Sequence, residues 1–380
     1  MQLSIPPSRD KSGAAIIHGA GHGIWMIDFL KALASQLIVW HHFASYGPLI
    51  KTVRPYAPNI VDWLFVDARM AVQAFLVVGG FLAARSLAPH IDISMDECNV
   101  KRLASLLGRR YLRLCKPYCV ALGLAIVCAA IARSLLFDPD TPAPPSLQQI
   151  LFHALLIHDI TRTEALTTGA WYVAADLQLY ALLLVLLWLA EKLSIRFNAK
   201  LAATRSALIL GVAALSLFWA NRDPAMEVWA IYFFADYALG VMTIWSCAAG
   251  NRWLSFVCLL LYALAATIDF RERLLISLLV SVLMFFGKSS SFCPRTSFQV
   301  LIAWLSRISY WVFLIHYPIV MVVGVAIERL WPGAPLQAIL GLFASWALTL
   351  LLAQTLYGIK PQVLLPALLI WLGKRFERIN

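Results

Sequence analysis

The sequence has few charged residues: Asp, Glu, Lys and Arg make up 13% of its 380 positions, against roughly 25% in soluble domains. Hydrophobic residues account for 61%. A soluble fold of this composition would expose large apolar patches, which favour association in water. The shortage of charge therefore excludes an ordinary soluble enzyme and a disordered chain, and it predicts a polytopic membrane protein.

Other features that the sequence lacks narrow the class further. The seven cysteines include no C-x-x-C pair, so we expect neither a disulfide framework nor a metal site. No basic run is interleaved with aromatic residues on a polar face, so the net charge of +11 does not indicate a nucleic-acid partner. Residues 1–23 have neither the short apolar stretch nor the cleavage site of a signal peptide, so the first apolar run is expected to remain as a helix.

Apolar runs near the length of a membrane span recur about ten times along the chain. We therefore predict an all-α fold, a polytopic membrane helix bundle with about ten transmembrane helices. The runs at 206–220 and 274–287 are short, which indicates tilted or partly re-entrant segments. Weaker apolar stretches at 148–160 and 362–373 predict surface helices. The spans are expected at 24–46, 60–84, 117–137, 170–190, 206–220, 229–247, 253–268, 274–287, 309–327 and 335–357.

The positions of the basic residues predict the orientation. If the N-terminus is cytoplasmic, most of the 31 lysines and arginines fall in cytoplasmic connections, as the positive-inside rule requires. Both termini are then cytoplasmic, with residues 1–23 and 359–380 as terminal segments around a transmembrane domain at 24–358. The lipid bilayer is the expected partner of the transmembrane domain.

The first span carries an unusual polar face. Lys31 and His42 are eleven residues apart, which is three helical turns plus roughly 20°, so both lie on one face about 16 Å apart along the axis. Asp28 and Ser35 share this face, and Ile38 fills its gap. Because charge inside a span is costly, such residues indicate function. The alternative is an Asp28–Lys31 pair at a helix end with the histidines near the lipid headgroups.

Two later spans also carry polar residues on one face. Asp176 and Tyr180 are four residues apart, and Ser309 and His316 are two turns apart. Asp176 needs a partner from another helix, for which a lysine, an arginine or a histidine would serve. A purely structural role, in which such polar residues bond to a neighbouring helix and hold the two helices together, explains them equally well.

A basic cluster follows the second span and contains Arg109, Arg110 and Arg113. Arg110 and Arg113 are three residues apart and would face the same way on a helix. Guanidinium forks suit phosphate geometry, which predicts a phosphate site at the cytoplasmic surface. Positive-inside anchoring is the alternative, and it requires no ligand.

Five of these stretches, in this order, resemble the acyltransferase-3 family of integral membrane O-acyltransferases. The first resembles the family's signature of a basic residue, ten others and then His. Three departures are visible: Asp176 stands where the family usually has Glu, Gly79 stands where it usually has Ser, and the acidic residue often found before the last helix's terminal proline is absent before Pro361. The five stretches are IDFLKALASQLIVWHHF, VQAFLVVGGFLAARSL, RRYLRL, WYVAADLQLY and LSRISYWVFLIHYPIV.

The resemblance implies transfer of an acyl group, often acetyl, from a cytoplasmic acyl-CoA to a hydroxyl of a carbohydrate or lipid. Acetyl-CoA or another acyl-CoA is thus a donor substrate, and no tightly bound cofactor is expected. His42 would act as general base or transient acyl carrier, and Lys31 would steady the donor or the oxyanion. Asp176 or His316 would orient His42 or bind the acceptor. Arg109, Arg110 and Arg113 would bind the coenzyme phosphates, and the expected acceptor-binding residues are Asp28, Trp171, Gln178, Tyr180, Ser309 and Tyr310.

The family resemblance also implies a bacterial inner membrane location and polysaccharide-biosynthesis proteins as partners. The rival hypothesis is a proton-coupled transporter or flippase for an envelope metabolite, since membrane-embedded carboxylates and a lysine suit proton-coupled passage. Dependence on acyl-CoA separates the two functions.

Overall fold

The computed structural model describes residues 12–91, 100–249, 252–287 and 296–359, and this part of the chain is all-α, with no β-strand. The expected segment at 362–373 lies outside the described residues, as do residues 1–11. The described residues form thirteen α-helices and three 3₁₀ turns. The helices are α1 Ser12–Ser45, α2 Pro48–Val53, α3 Pro58–Val66, α4 Ala71–Ile91, α5 Val100–Leu135, α6 Leu147–Ala154, α7 Ala170–Phe197, α8 Leu201–Phe218, α9 Ala230–Ala249, α10 Arg252–Ile268, α11 Glu272–Gly287, α12 Thr296–Leu330 and α13 Pro335–Gly358.

Seven helices of the described chain are long and apolar enough to cross a membrane: α4 with the short segment before it, α5, α7, α8, α9, α12 and α13. Nine of the ten predicted spans each overlap mainly one helix, whereas the span predicted at 60–84 covers α3, a 3₁₀ turn and most of α4. α1 and α11 are not among these seven, and α10 is a shorter apolar helix. The multi-pass helical class is confirmed, while the count of ten and the cytoplasmic termini remain predictions. The expected surface helix at 148–160 is shorter, since α6 ends at Ala154 and turns follow.

Local sequence explains where several helices begin and end. Pro occupies the first turn of α2, α3 and α13, where its missing N–H removes no helical hydrogen bond. The Ser146 side chain caps α6 by accepting a hydrogen bond from the backbone N–H of Gln149 at 3.1 Å. Asn198 ends α7 in the left-handed conformation, with φ of 49°, which short polar side chains tolerate.

Glycines allow α4 and α9 to pack with their backbones in contact. A Cβ atom at Gly80 would lie 1.9 Å from the carbonyl oxygen of Tyr237, and one at Gly240 would lie 1.9 Å from that of Val77. Any side chain at either position would therefore separate the two helices. Small residues at such crossings are typical of membrane bundles, in which close van der Waals packing stabilises helix pairs.

α1 and α12 pack side by side in parallel. Lys31 lies against Ser306 at one end of the contact, and His42 lies against His316 at the other. The facing residues alternate at spacings of three and four, as in a coiled-coil seam. On α1 they are Asp28, Lys31, Ser35, Ile38 and His42, and on α12 they are Ser306, Ser309, Phe313 and His316.

Candidate active site

Two histidines meet where α1 and α12 pack. Nδ1 of His42 lies 2.6 Å from Nε2 of His316, and the two rings stack with centroids 4.8 Å apart and planes 6° apart. His316 is fully buried, and only 8% of His42 is exposed. The pair joins the first and the late polar faces that the sequence singled out separately.

The hydrogen bonds of His316 determine which nitrogen of His42 carries a proton when both rings are neutral. Nδ1 of His316 lies 3.1 Å from the carbonyl oxygen of Val312, and a carbonyl only accepts, so this nitrogen donates. Nε2 of His316 is then an acceptor, and Nδ1 of His42 donates to it. Nε2 of His42 is left with a free lone pair, which is the state that a general base requires.

His42 lines a cavity of about 1130 Å³ at this end of α1. The volume is near the upper end of the roughly 300–1,000 Å³ that is typical of small-molecule sites. The walls come from α1, the start of α4, α7, α9, α11 and α12, and from the connections on either side of α6, between α8 and α9, and between α10 and α11. Rings that present apolar faces to the cavity belong to Tyr46, Trp171, Tyr232, Phe233, Phe270, Phe313 and Tyr317.

Charged groups also line the cavity, and carboxylates outnumber guanidinium groups. Two of the arginines are held by the protein itself: Arg273 donates to the Tyr232 hydroxyl at 2.5 Å, and Arg271 donates to the Asn221 side chain. The charged lining residues are Arg69, Arg271, Arg273, Asp140, Asp159, Glu164, Glu227 and Glu272. Neither the arginines nor the carboxylates were expected as site residues from the sequence: Arg69 lies within the predicted span at 60–84, and the others lie between the predicted spans.

Lys31 lies on the same seam but is not part of the cavity lining. Its Nζ donates to the carbonyl oxygen of Ser306 at 3.2 Å, and the Ser306 hydroxyl donates to Asp28 at 2.6 Å. Asp28 and Lys31 are thus both tied to α12. The polar face predicted on the first span is therefore a helix contact, with the histidine pair at one end and this lysine group at the other.

Asp176 has Arg110 as its partner. The Arg110 guanidinium donates to both carboxylate oxygens, at 2.8 Å and 2.6 Å from Nη2 and at 3.1 Å from Nε. The two side chains are 16% and 7% exposed, and the guanidinium lies 5.2 Å from the Tyr180 ring centroid. In this structure Asp176 therefore contacts Arg110 rather than His42. Of the three arginines expected to hold phosphate, Arg109 and Arg113 are exposed on α5.

The remaining expected acceptor residues divide into one that lines the cavity and four that bond within the bundle. Trp171 lines the cavity. Gln178 accepts from the N–H of Ala230 and donates to the carbonyl of Val228. The Ser309 hydroxyl donates to Ser306, the Tyr310 hydroxyl donates to Leu114, and Tyr180 packs under Arg110.

Sequence reasoning missed Gln73, at the start of α4, which lines the cavity. Its signal was visible, since AVQAFLVV places one amide in an otherwise apolar run. A single uncharged amide costs a membrane span less than a charge does, so it is a weaker sign of function than the ionisable residues of α1 and α7. His41 also lines the cavity, with Nδ1 3.2 Å from the carbonyl oxygen of Leu64.

A second histidine pair supports the connection that closes one side of the cavity. His153 and His158 stack with ring centroids 4.2 Å apart, and both are fully buried. His153 is held between the carbonyl of Gln149 and the N–H of Leu166. Burial, which disfavours the charged form, lowers the pKa of His153 and of His158 to about 4. Both rings are therefore neutral at physiological pH.

No cluster of His, Cys, Asp or Glu in the described ranges has a geometry that would hold a metal ion. Residues 24–357 match the sequence model of a family described as an acyltransferase domain. The search of curated proteins and the search of solved structures returned no match. The family match covers nearly the whole chain and includes both helices that carry the histidine pair.

Proposed function

Since the chain belongs to the acyltransferase-3 family and is an acyltransferase, we propose that it moves an acyl group, in the simplest case acetyl, from acyl-CoA to a hydroxyl of a carbohydrate or lipid-linked glycan. The family membership favours this function over the transporter or flippase. The observation that carries the proposal is the His42–His316 pair on the wall of a cavity large enough for a sugar.

In the proposed reaction His42 is the general base. Its Nε2 takes the proton of the acceptor hydroxyl while that oxygen attacks the thioester carbonyl. The resulting imidazolium then returns the proton to the leaving thiolate, so that free coenzyme A and the ester are the products. His316 does not take the proton; it accepts the hydrogen bond from Nδ1 and so keeps the lone pair on the side of the reaction.

The two substrates are proposed to enter from opposite ends of the α1–α12 seam. The acceptor occupies the cavity beside His42. The donor approaches from the end at which Lys31 lies, where exposed Arg109 and Arg113 are available to bind its phosphates. A multi-pass protein of the bacterial inner membrane, working beside polysaccharide-biosynthesis proteins, would have acyl-CoA on the cytoplasmic side and glycan at the other.

The test uses membranes that contain the protein and acetyl-CoA labelled on the acetyl group. Label should enter the glycan or lipid fraction with the parent, and His42→Gln should lower the rate by about 10²–10⁴, the usual contribution of a general base. His316→Gln should also lower the rate, because the ring acceptor at His316 that keeps the proton of His42 on Nδ1, and so leaves Nε2 free to act as a base, is then removed. His22→Gln is the matched control, since it lies on the same helix about 30 Å away from His42.

Several outcomes would contradict parts of the proposal. Full activity of His42→Gln would remove His42 from the mechanism. Label that stays on His42 of the parent when acceptor is withheld would make it a covalent carrier instead of a base. Transfer from succinyl-CoA but not from acetyl-CoA would change the donor. Transfer from neither, by protein shown to be folded, would refute the proposed reaction.

A further inference from the structure

Gln73 is a buried polar side chain that the protein itself leaves unsatisfied. It lies on the first turn of α4, lines the same cavity as His42, and is 7% exposed. Its Oε1 is buried and has no hydrogen-bond partner among the described residues. Among the glutamines on neighbouring helices this is unusual: Gln36 accepts from the Trp346 indole, and Gln178 accepts from Ala230.

An amide in this state lowers stability. A buried acceptor without a partner destabilises the folded protein, because it has lost its hydrogen bonds to water and gained none in exchange. Within a membrane bundle the same position is well suited to an apolar side chain. A bound molecule that supplies the missing donor would remove this loss of stability. An amide offers both a donor and an acceptor, and a hydroxyl group can pair with either one.

Resting on the proposed function, we infer that Gln73 binds the acceptor through a hydrogen bond between its side-chain amide and one of the acceptor's hydroxyl groups, and that the acceptor carries no negative charge. The contact fixes the acceptor in the cavity that His42 lines. Gln73 takes no part in proton transfer and does not touch the donor, so it sets the affinity for the acceptor.

The charges around Gln73 indicate an uncharged acceptor. Five carboxylates and three guanidinium groups line the cavity. Arg271 and Arg273 donate to the uncharged groups of Asn221 and Tyr232 and so keep their positive charge, while Asp140 is paired with Lys51 at 3.0 Å. Four carboxylates of the lining are then set against three guanidinium groups. A phosphate or carboxylate on the acceptor would face more negative than positive charge, and like charges in a site of reduced dielectric repel strongly.

The test compares Gln73→Met with Gln73→Glu in purified protein supplied with labelled acetyl-CoA. Methionine keeps the length of the side chain and removes the amide, whereas glutamate keeps an acceptor oxygen at the same place. The acceptor probe is the glycan extract from membranes that lack the protein, separated by anion exchange into a neutral and an acidic pool. Gln36→Met is the matched control, because its amide is bonded to Trp346 and does not line the cavity.

The parent should label the neutral pool. Gln73→Met should raise the KM for that pool about tenfold, the factor that one hydrogen bond of roughly 1.4 kcal/mol represents, with the KM for acetyl-CoA changed less than twofold. Gln73→Glu should restore most of the affinity. Gln73→Met should also melt no lower than the parent, because it removes an unsatisfied group, whereas Gln36→Met should melt lower and keep the parental KM.

The results that overturn the inference differ from those that overturn the proposed function. If the parent transfers label but Gln73→Met has the parental KM for acceptor, Gln73 does not bind the acceptor. If Gln73→Met melts well below the parent and its KM values for the acceptor and for acetyl-CoA both rise, the residue is structural. Label found in the acidic pool alone refutes an uncharged acceptor. Consumption of acetyl-CoA without label in either pool refutes a glycan acceptor, and thus the proposed function itself.

Discussion

In the buried ion pair between Arg110 and Asp176, each side chain compensates the buried charge of the other, and this compensation should be the pair's main contribution to stability. Arg110 makes three hydrogen bonds to the carboxylate, and both side chains are largely out of reach of solvent. Removing one partner of such a pair costs about 3–5 kcal/mol, because the other charge stays buried without compensation. Asp176→Asn and Arg110→Gln should each lose this amount.

A double-mutant cycle checks that reasoning. Replacing both partners by apolar residues of similar volume is often neutral or stabilising, so Arg110→Met/Asp176→Leu should be more stable than either single apolar variant. The coupling energy should be at least about 3 kcal/mol, well above the roughly 0.6 kcal/mol average of polar contacts between membrane helices. The measurement is reversible unfolding of the purified protein in mixed micelles, followed by tryptophan fluorescence.

Asp176→Asn within about 0.5 kcal/mol of the parent would refute this account, since that is the range of an inconsequential substitution. The same variants test the expected phosphate role of Arg110. If its function were to hold the coenzyme, Arg110→Gln would raise the KM for acyl-CoA and leave stability unchanged. The ion pair predicts the reverse, a loss of stability in protein whose remaining folded fraction binds the donor normally.

Three further predictions concern other parts of the bundle. Gly80→Ala should lower the free energy of unfolding by about 1–3 kcal/mol or more, because the added methyl group overpacks against the Tyr237 carbonyl. At Gly211 an added Cβ would lie in open space, so Gly211→Ala should raise the free energy of unfolding by up to about 1 kcal/mol through helix propensity. Thermal melts compare the two variants. The pKa of His158 is about 4 in the folded protein and 6.5 ordinarily, so the unfolded chain binds more protons than the folded one between pH 4 and pH 6.5. The stability of the parent should therefore rise with pH across this range. His158→Phe should flatten that rise when melting temperatures are measured at a series of pH values. The Arg113 side chain is exposed on α5, so Arg113→Gln should raise the KM for acyl-CoA several-fold without changing the melting temperature. An unchanged KM would leave Arg113 with a role in membrane orientation only.

Much of the fold follows from local sequence. Length and hydropathy locate the long helices, since a span needs about 20 apolar residues, and only the span predicted at 60–84 is divided in the described structure, between α3 and α4. The helix ends at Pro335 and Asn198 follow from the conformations that these residues favour. What periodicity does not provide is which helices touch. The approach of α4 to α9 depends on the absence of a side chain at Gly80, and nothing in the spacing distinguishes that glycine from Gly211.

The candidate site shows the same division. The spacing of Lys31 and His42 predicts one polar face on α1, and the structure has that face against α12. Spacing within a helix contains no information on partners in other helices, so the contact of His42 with His316 and that of Asp176 with Arg110 had to be seen. The roles assigned to these residues stay predictions until the variants are assayed.

The contact between α1 and α12 has a consequence for biosynthesis. His42 and His316 are 274 residues apart, and a chain grows by about 5–20 residues per second, so roughly 14–55 s separate their synthesis. Throughout that interval Asp28 and Lys31 are without the α12 groups that later bond to them. A nascent chain therefore carries Asp28 and Lys31 without their α12 partners for most of its translation, and truncation anywhere before α12 abolishes the histidine pair.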